Sequence, residues 1–267
     1  MIIDNKTKIF FSASSKPGNF GASIYNKLFQ LYNINAVYIP RKSSSAKPLI
    51  EALKAFHIEG CSISMPLKNQ VINFLDIIDD NAKLTQSVNT IVQREGKLIG
   101  YNTDIVGAFL ALKSTHSTYN NVLIYGSGSV THSIVKALEQ VGVDRISIVS
   151  RNSKKARLVS EKYNLIFYEH CTAINNHFDL LVNATPASLE NNHEIDILLN
   201  KTNCLFDLVV SPDYTPLVKK AQSKKISFIT GDVMSKFQLQ KQFEHYTGIF
   251  PNIETIDEII YSVFKKN

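Results

Sequence analysis

An apolar run from Val122 to Tyr125 passes directly into Gly126-Ser127-Gly128-Ser129-Val130-Thr131. Beyond it, Ile134, Ala137 and Leu138 recur at helical spacing. Strand, glycine turn and helix in that order form the arrangement that holds a dinucleotide pyrophosphate. The first glycine permits the tight turn and the second lets a phosphate approach the backbone. The helix start supplies unpaired N–H groups and a partial positive charge. Thr131 stands where a third small residue is usual, which predicts a helix set slightly off its strand. A glycine pair can also serve chain reversal alone, so the flanking strand and helix carry the reading. The next apolar run, Arg145 to Val149, ends in Ser150-Arg151-Asn152-Ser153-Lys154-Lys155. A carboxylate there would accept the ribose 2′-hydroxyl of NAD, whereas Arg and Lys attract a 2′-phosphate. NADP is therefore the expected cofactor, with a solvated basic turn as the alternative.

These turns need an α/β frame to position them, and the chain supplies one. Runs rich in β-branched and aromatic residues alternate with helix-period segments throughout, the pattern of mainly parallel sheets. Strands are expected at Lys8 to Ala13, Ala36 to Ile39 and Cys61 to Ser64, with helices from Ala22 to Tyr32 and from Pro48 to Phe56. A further helix should end near Ile78. Ser87 to Asn102 reads as two strands joined at Arg94-Glu95-Gly96-Lys97, where the glycine can take a positive φ. Asn102-Thr103-Asp104 then offers N-cap chemistry to a helix reaching Leu112. The polar stretch Lys113 to Asn121 reads as a linker, giving a first domain over residues 1–112 and a second over 113–239. Helices from Met234 to Tyr246 and from Ile253 to Lys265 are expected to return, through residues 240–267, to the first domain.

A chain of 267 residues, 44% hydrophobic and 19% charged, has ample apolar surface for two cores. No run approaches the ~18 apolar residues of a membrane span. The Ile9-Phe10-Phe11 run near the start is too short for a secretory core, so a soluble, cytoplasmic protein is expected. Cys61, Cys171 and Cys204 are far apart and read as reduced thiols, and no ligand pair is spaced for a metal. The net charge of +6 is carried by scattered lysine pairs rather than an aromatic-interleaved stripe. That fits attraction of a small anion and offers no nucleic-acid motif.

Two stretches of the first block are more specific. Cys61-Ser62-Ile63-Ser64-Met65-Pro66-Leu67-Lys68 and the run from Ser87 through Asn89-Thr90 to Gly100-Tyr101-Asn102-Thr103-Asp104 closely resemble the shikimate dehydrogenase family. So do Gly126-Ser127-Gly128, Ser150 to Ala156, Asn183-Ala184-Thr185-Pro186, Asp207 to Pro212, Thr215-Pro216-Leu217 and Gly231 to Gln238. The resemblance implies an N-terminal α/β substrate domain and a C-terminal Rossmann NADP-binding domain. It also implies reversible reduction of 3-dehydroshikimate to shikimate, within aromatic amino acid biosynthesis by the chorismate pathway. Lys68 and Asp104 match the family's catalytic pair, which suits the reaction. Hydride arriving at a ketone leaves negative charge on oxygen, and an adjacent ammonium can stabilise that charge and supply the proton. Ser64, Asn89 and Gln238 match residues that bind substrate hydroxyls. Gly126, Ser127, Gly128, Ser129, Val130, Arg151, Lys155 and Thr185 match positions that hold the nucleotide, and Gly231 and Met234 match positions near the nicotinamide. The implied partner is a small carboxylate, and the implied assembly a monomer or homodimer.

The match breaks in one place that matters. The family's Ser-x-Ser motif, whose hydroxyls bind the substrate carboxylate, is replaced by Asn19-Phe20-Gly21. Ser62 stands for the usual asparagine, Ser64 for threonine and Val210 for tyrosine. Each hydrogen bond lost to a charged group should weaken binding by about 1 to 3 kcal/mol. Asn19, Lys16 and Ser23 remain as groups able to hold a carboxylate. The pattern resembles the shikimate dehydrogenase-like branch, and leaves open quinate or another hydroxylated ring carboxylate as substrate, or a non-catalytic nucleotide or metabolite sensor.

Overall fold

The computed structural model describes residues 3–186, 193–211 and 213–264, in two compact units. Unit 1 holds the chain up to Thr103 and again from Gln238 onward; unit 2 runs from Asp104 to Phe237.

Unit 1 contains β1 (Lys8–Ser14), α1 (Phe20–Leu31), β2 (Ala36–Lys42), α2 (Ala46–Ala55), β3 (Gly60–Ile63), β4 (Ile77–Ile78), α3 (Asp80–Thr85), β5 (Thr90–Arg94) and β6 (Lys97–Tyr101). The strand order is β2-β1-β3-β5-β6-β4. β1 pairs parallel with β2 and β3, and β4 with β6, while β5 alone runs antiparallel to its neighbours β3 and β6, so the sheet is mainly parallel with one reversed strand. The β5–β6 hairpin turns through Glu95 and Gly96, both at positive φ (50° and 75°), the backbone that suits a two-residue hairpin loop. β2 continues through Pro40 because an edge strand loses no ladder bond there.

The helix expected to end near Ile78 is instead a single turn, Val71–Phe74, followed by β4 and α3. Two carboxylates redirect the chain. Asp76 Oδ2 accepts from the Leu98 N–H at 2.8 Å, tying the segment to β6, and Asp79 Oδ1 accepts from the Ala82 N–H at 2.9 Å, starting α3. In α1, Ile24, Tyr25, Leu28 and Phe29 form one buried stripe, the i, i+4 pattern of a core-facing helix.

Unit 2 opens with α4 (Asp104–Lys113). The sequence placed the domain break after this helix, at Lys113; the structure places it before, because Ala108, Ala111 and Leu112 pack with Ile134, Val135 and Leu138 in one core. Then follow β7 (Asn121–Tyr125), α5 (Ser129–Gln140), β8 (Arg145–Val149), α6 (Ser153–Tyr163), β9 (Ile166–Tyr168), β10 (Phe178–Asn183), α7 (His193–Leu199), β11 (Thr202–Asp207), α8 (Pro216–Ser223) and β12 (Ser227–Thr230). The strands are parallel in the order β12-β11-β10-β7-β8-β9. The order reverses beside β7, a topological switch point where doubly wound sheets hold ligands at their carboxyl ends.

The last two helices are α9 (Gly231–Thr247) and α10 (Ile253–Phe264). Leu239, Phe243, Tyr246 and Ile256 pack with Phe10, Ile24, Tyr25 and Phe29, completing a core of unit 1. Lys265, the expected end of α10, lies outside the described residues.

Candidate active site

Three strand ends meet at one end of the unit 1 sheet. Ser62 pairs with Thr90 and Thr90 with Tyr101, so the carboxyl end of β3, the amino end of β5 and the carboxyl end of β6 lie side by side. Ser64 and Lys68 follow β3, Asn89 precedes β5, and Asp104 comes three residues after β6. The backbone binds these segments together. The Ile63 N–H donates to the Asn89 carbonyl at 2.7 Å, the Val88 N–H to the Lys68 carbonyl at 2.9 Å, and the Ser64 N–H to the Ala13 carbonyl at 2.9 Å.

Asn89 is buried and its amide is engaged with the turn that precedes Asp104. Its Nδ2 donates to Thr103 Oγ1 at 2.9 Å, and its Oδ1 accepts from the Thr103 N–H at 3.0 Å and the Thr90 hydroxyl at 2.8 Å. Asn89 thus fixes the chain that delivers Asp104, besides the substrate contact the sequence assigned to it. Thr103, to which sequence reasoning gave no part at the site, is its partner; the signal was its place inside the Asn-Thr-Asp run. Asp104 is buried at the first turn of α4, and Lys68 is partly exposed.

The start of α1 carries Asn19 and Gly21, with Ser23 in its first turn. Asn19 is exposed and occupies the N-cap without a side-chain cap bond. A Cβ on Gly21 would meet Tyr25 and Tyr38 carbons at 3.6 and 3.7 Å, ordinary contact distances, so packing does not demand glycine there.

Behind this face lies a buried polar cluster that the sequence did not disclose. Gln242 Oε1 accepts from the Tyr25 hydroxyl at 2.5 Å and the Ser62 hydroxyl at 3.3 Å, and its Nε2 donates to Thr90 Oγ1 at 2.8 Å and the Asn89 carbonyl at 3.3 Å. Tyr246 shares a 2.8 Å hydrogen bond with Ser62. Burial raises the Tyr25, Tyr38 and Tyr246 phenols and the Cys61 thiol well above their usual ranges, so all four stay protonated at neutral pH. Gln238, partly exposed, lies one turn earlier on α9.

The residues expected to hold the nucleotide follow the carboxyl ends of the unit 2 strands. Gly126 has φ +127°, and a Cβ there would stand 2.8 Å from Thr185 Cγ2 and 2.9 Å from the Ala184 carbonyl oxygen. The turn after β7 therefore presses against the turn after β10, and only glycine fits. At Gly128, which caps α5, a Cβ would meet nothing within 4 Å, leaving the helix start open to a ligand. Ser129 and Val130 begin that helix, and Ser127 Oγ donates to Ser150 Oγ at 3.1 Å. The buried Thr131 hydroxyl donates to the Gly126 carbonyl at 3.2 Å, pinning the glycine turn.

Arg151 and Lys155 are exposed after β8, and Asn152 between them caps α6 by accepting from the Lys155 N–H at 3.0 Å. Thr185 is held by Asn183, whose amide also donates to the buried Asp207 at 2.8 Å; Thr215 donates to that carboxylate at 2.6 Å. This network braces the ends of β10 and β11. Gly231 opens α9 where a Cβ would lie 2.6 Å from the Leu208 and Val209 carbonyl oxygens. Met234 is 4% exposed and packs in the unit 2 core. A glycine-only turn, an open helix start and two exposed cations after the second strand fit a phosphorylated dinucleotide.

Comparison with known proteins agrees with this geometry. Residues 20–91 match the model of the shikimate dehydrogenase substrate binding domain, and residues 110–231 that of shikimate / quinate 5-dehydrogenase. A shikimate dehydrogenase-like protein of Haemophilus influenzae is 31% identical over 96% of this chain and 97% of its own. The chain belongs to the shikimate dehydrogenase family. A shikimate dehydrogenase (NADP(+)) of Pelagibacter ubique is 33% identical over 87% of this chain and 90% of its own. Among solved structures, a shikimate 5-dehydrogenase-like protein superposes with a TM-score of 0.85 at 29% identity, covering 97% of this chain and 98% of that one. A shikimate dehydrogenase solved in complex with NADP+ does so with 0.84 at 28%, covering 99% and 98%. The family's two-domain α/β fold, with a Rossmann unit second, is thus the fold of this chain. Among the described residues no helix is long and apolar enough to cross a membrane.

Proposed function

We propose that this chain is an NADP-linked oxidoreductase of the shikimate dehydrogenase type that interconverts a ring ketone acid and its alcohol, with 3-dehydroshikimate and shikimate as the pair. The observation that carries this reading is the anchoring of Lys68 and of the turn before Asp104 to two adjacent buried residues, the Lys68 carbonyl to the Val88 N–H and the Thr103 N–H to Asn89 Oδ1. Bound NADPH would supply the hydride. The Lys68 ammonium stabilises the oxyanion that forms at the ketone and passes it a proton, and the Asp104 carboxylate orients the lysine and accepts a substrate hydroxyl. Ser64, Asn89 and Gln238 bind the remaining hydroxyls. Gly126 to Val130 hold the pyrophosphate, Arg151 and Lys155 the 2′-phosphate, and Thr185, Gly231 and Met234 border the nicotinamide end. The partner is a small-molecule carboxylate, and three buried free cysteines suit a reducing cytoplasm.

The room at Gly21 favours a second substrate, quinate or another hydroxylated ring carboxylate, taken at the same centre. The deciding experiment is NADPH formation by purified protein given NADP and shikimate or quinate, beside NAD and beside Lys68→Ala. Turnover that prefers NADP and falls by ~10²–10⁴ in kcat without Lys68 is expected. Full activity in Lys68→Ala would remove the catalytic assignment, and nucleotide binding without turnover of any ring acid would make the protein a sensor.

A further inference from the structure

The Ser62 substitution leaves unit 1 short of one amide at the end of β3, and the structure carries another amide at the same place. Ser62 is partly exposed and belongs to the strand end that leads to Ser64 and Lys68. Its hydroxyl lies 3.3 Å from Gln242 Oε1 and 2.8 Å from the Tyr246 hydroxyl. Gln242 comes from α9, a different part of the chain, and is 8% exposed. Its amide is fully engaged: Oε1 takes Tyr25 and Ser62, and Nε2 gives to Thr90 Oγ1 and the Asn89 carbonyl. One planar group therefore joins α1, β3, the residue before β5, and β5 itself. Gln238, Gln242 and Tyr246 follow one another at i, i+4 and i+8, so they form a single row along α9.

We infer that Gln242 is a positioning residue for the substrate half of the site: it supplies from α9 the amide that an asparagine at position 62 would supply from β3. A serine at position 62 brings a hydroxyl and no amide N–H, and the glutamine brings one to Thr90 Oγ1 and the Asn89 carbonyl from α9. The arrangement makes the orientation of the Ser62 hydroxyl and of the Asn89 backbone depend on Gln242. The two positions should consequently behave as a pair, each choice of residue at one specifying the other.

The inference rests on the ring-acid reading above, and the test separates the two. Steady-state kinetics with shikimate and NADP are measured for the wild type, Gln242→Ala, Ser62→Asn and the double variant. Nucleotide binding, followed by titration with NADP, serves as the check that unit 2 is intact. Loss of a buried hydrogen-bonding amide should raise the KM for shikimate about tenfold in Gln242→Ala, with kcat and the KM for NADP little changed. Ser62→Asn alone should also raise it, because two amides then compete for one space. The double variant should return to within about threefold of the wild type. An unchanged KM in Gln242→Ala, or a double variant no better than the worse single, overturns the inference. Should Gln242→Ala fail to fold, the double variant against Ser62→Asn alone decides, since the double must be the better enzyme. A wild type that binds NADP but neither binds nor turns over shikimate or quinate fails the functional reading itself, and the inference falls with it.

Discussion

Gly21 can take a side chain in ordinary contact with two phenol rims, and that position is where this chain departs most from a hydroxyl-bearing carboxylate site. The distances of 3.6 and 3.7 Å from its virtual Cβ to Tyr25 and Tyr38 are ordinary contacts, so a serine can be introduced without strain. Gly21→Ser, alone and with Asn19→Ser, is expected to lower the KM for shikimate by about tenfold for a restored charged hydrogen bond, leaving kcat nearly unchanged. No change in KM would mean that the carboxylate is held by other groups, with Lys16 and Ser23 the next to substitute. At this scale the sequence was informative about types and weak about partners. The motifs singled out Lys68, Asn89 and Asp104 as candidates, whereas nothing in them pointed to Gln242. Its role depends on α9 lying against β5, a contact between residues more than a hundred positions apart that no local pattern encodes.

Among the elements, the β7 turn is the most constrained. Alanine at position 126 would have to adopt φ +127° with its methyl group inside contact distance of Thr185 and the Ala184 carbonyl. Gly126→Ala should cost roughly 1 to 3 kcal/mol in stability and abolish NADP binding in a titration, while Gly128→Ala, with nothing within 4 Å of its Cβ, should fold normally and lose only nucleotide affinity. A Gly126→Ala protein with wild-type melting temperature and wild-type NADP affinity would contradict the geometry. The strand, turn and helix here were readable because each carries its own periodicity and its own breaker. The segment from Val71 to Thr85 was misread as one helix because the carboxylates of Asp76 and Asp79 act through backbone groups, and one of those bonds, to Leu98, reaches far along the chain. The antiparallel course of β5 was hidden in the same way: alternation identifies a strand but not its direction.

For the molecule as a whole, acid stability should be governed in part by His245. Its ring stacks on Tyr101 with centroids 3.9 Å apart. Burial, reinforced by Lys241 and Arg94, pulls its pKa from 6.5 down to about 4 against the opposing pull of Glu244. The folded protein therefore keeps this imidazole neutral where the unfolded chain protonates it, so stability is lost as pH falls from about 6.5 to about 4 and levels off below. Urea titrations across that window should show a loss of roughly 2 kcal/mol that is absent in His245→Phe. An identical slope in the variant would assign the acid sensitivity to other groups.

Unit 1 is assembled from both ends of the chain, and this bears on its synthesis. Residues 104–237 emerge from the ribosome as one uninterrupted stretch and can close their core at once. Phe10, Ile24, Tyr25 and Phe29 are made first, yet Phe243, Tyr246 and Ile256, which cover them, are made last. For most of translation the nascent N-terminal sheet carries an uncovered aromatic face, the kind of surface that chaperones bind and that aggregates when the chain is cut short. That face is covered only once Phe243, Tyr246 and Ile256 have been made.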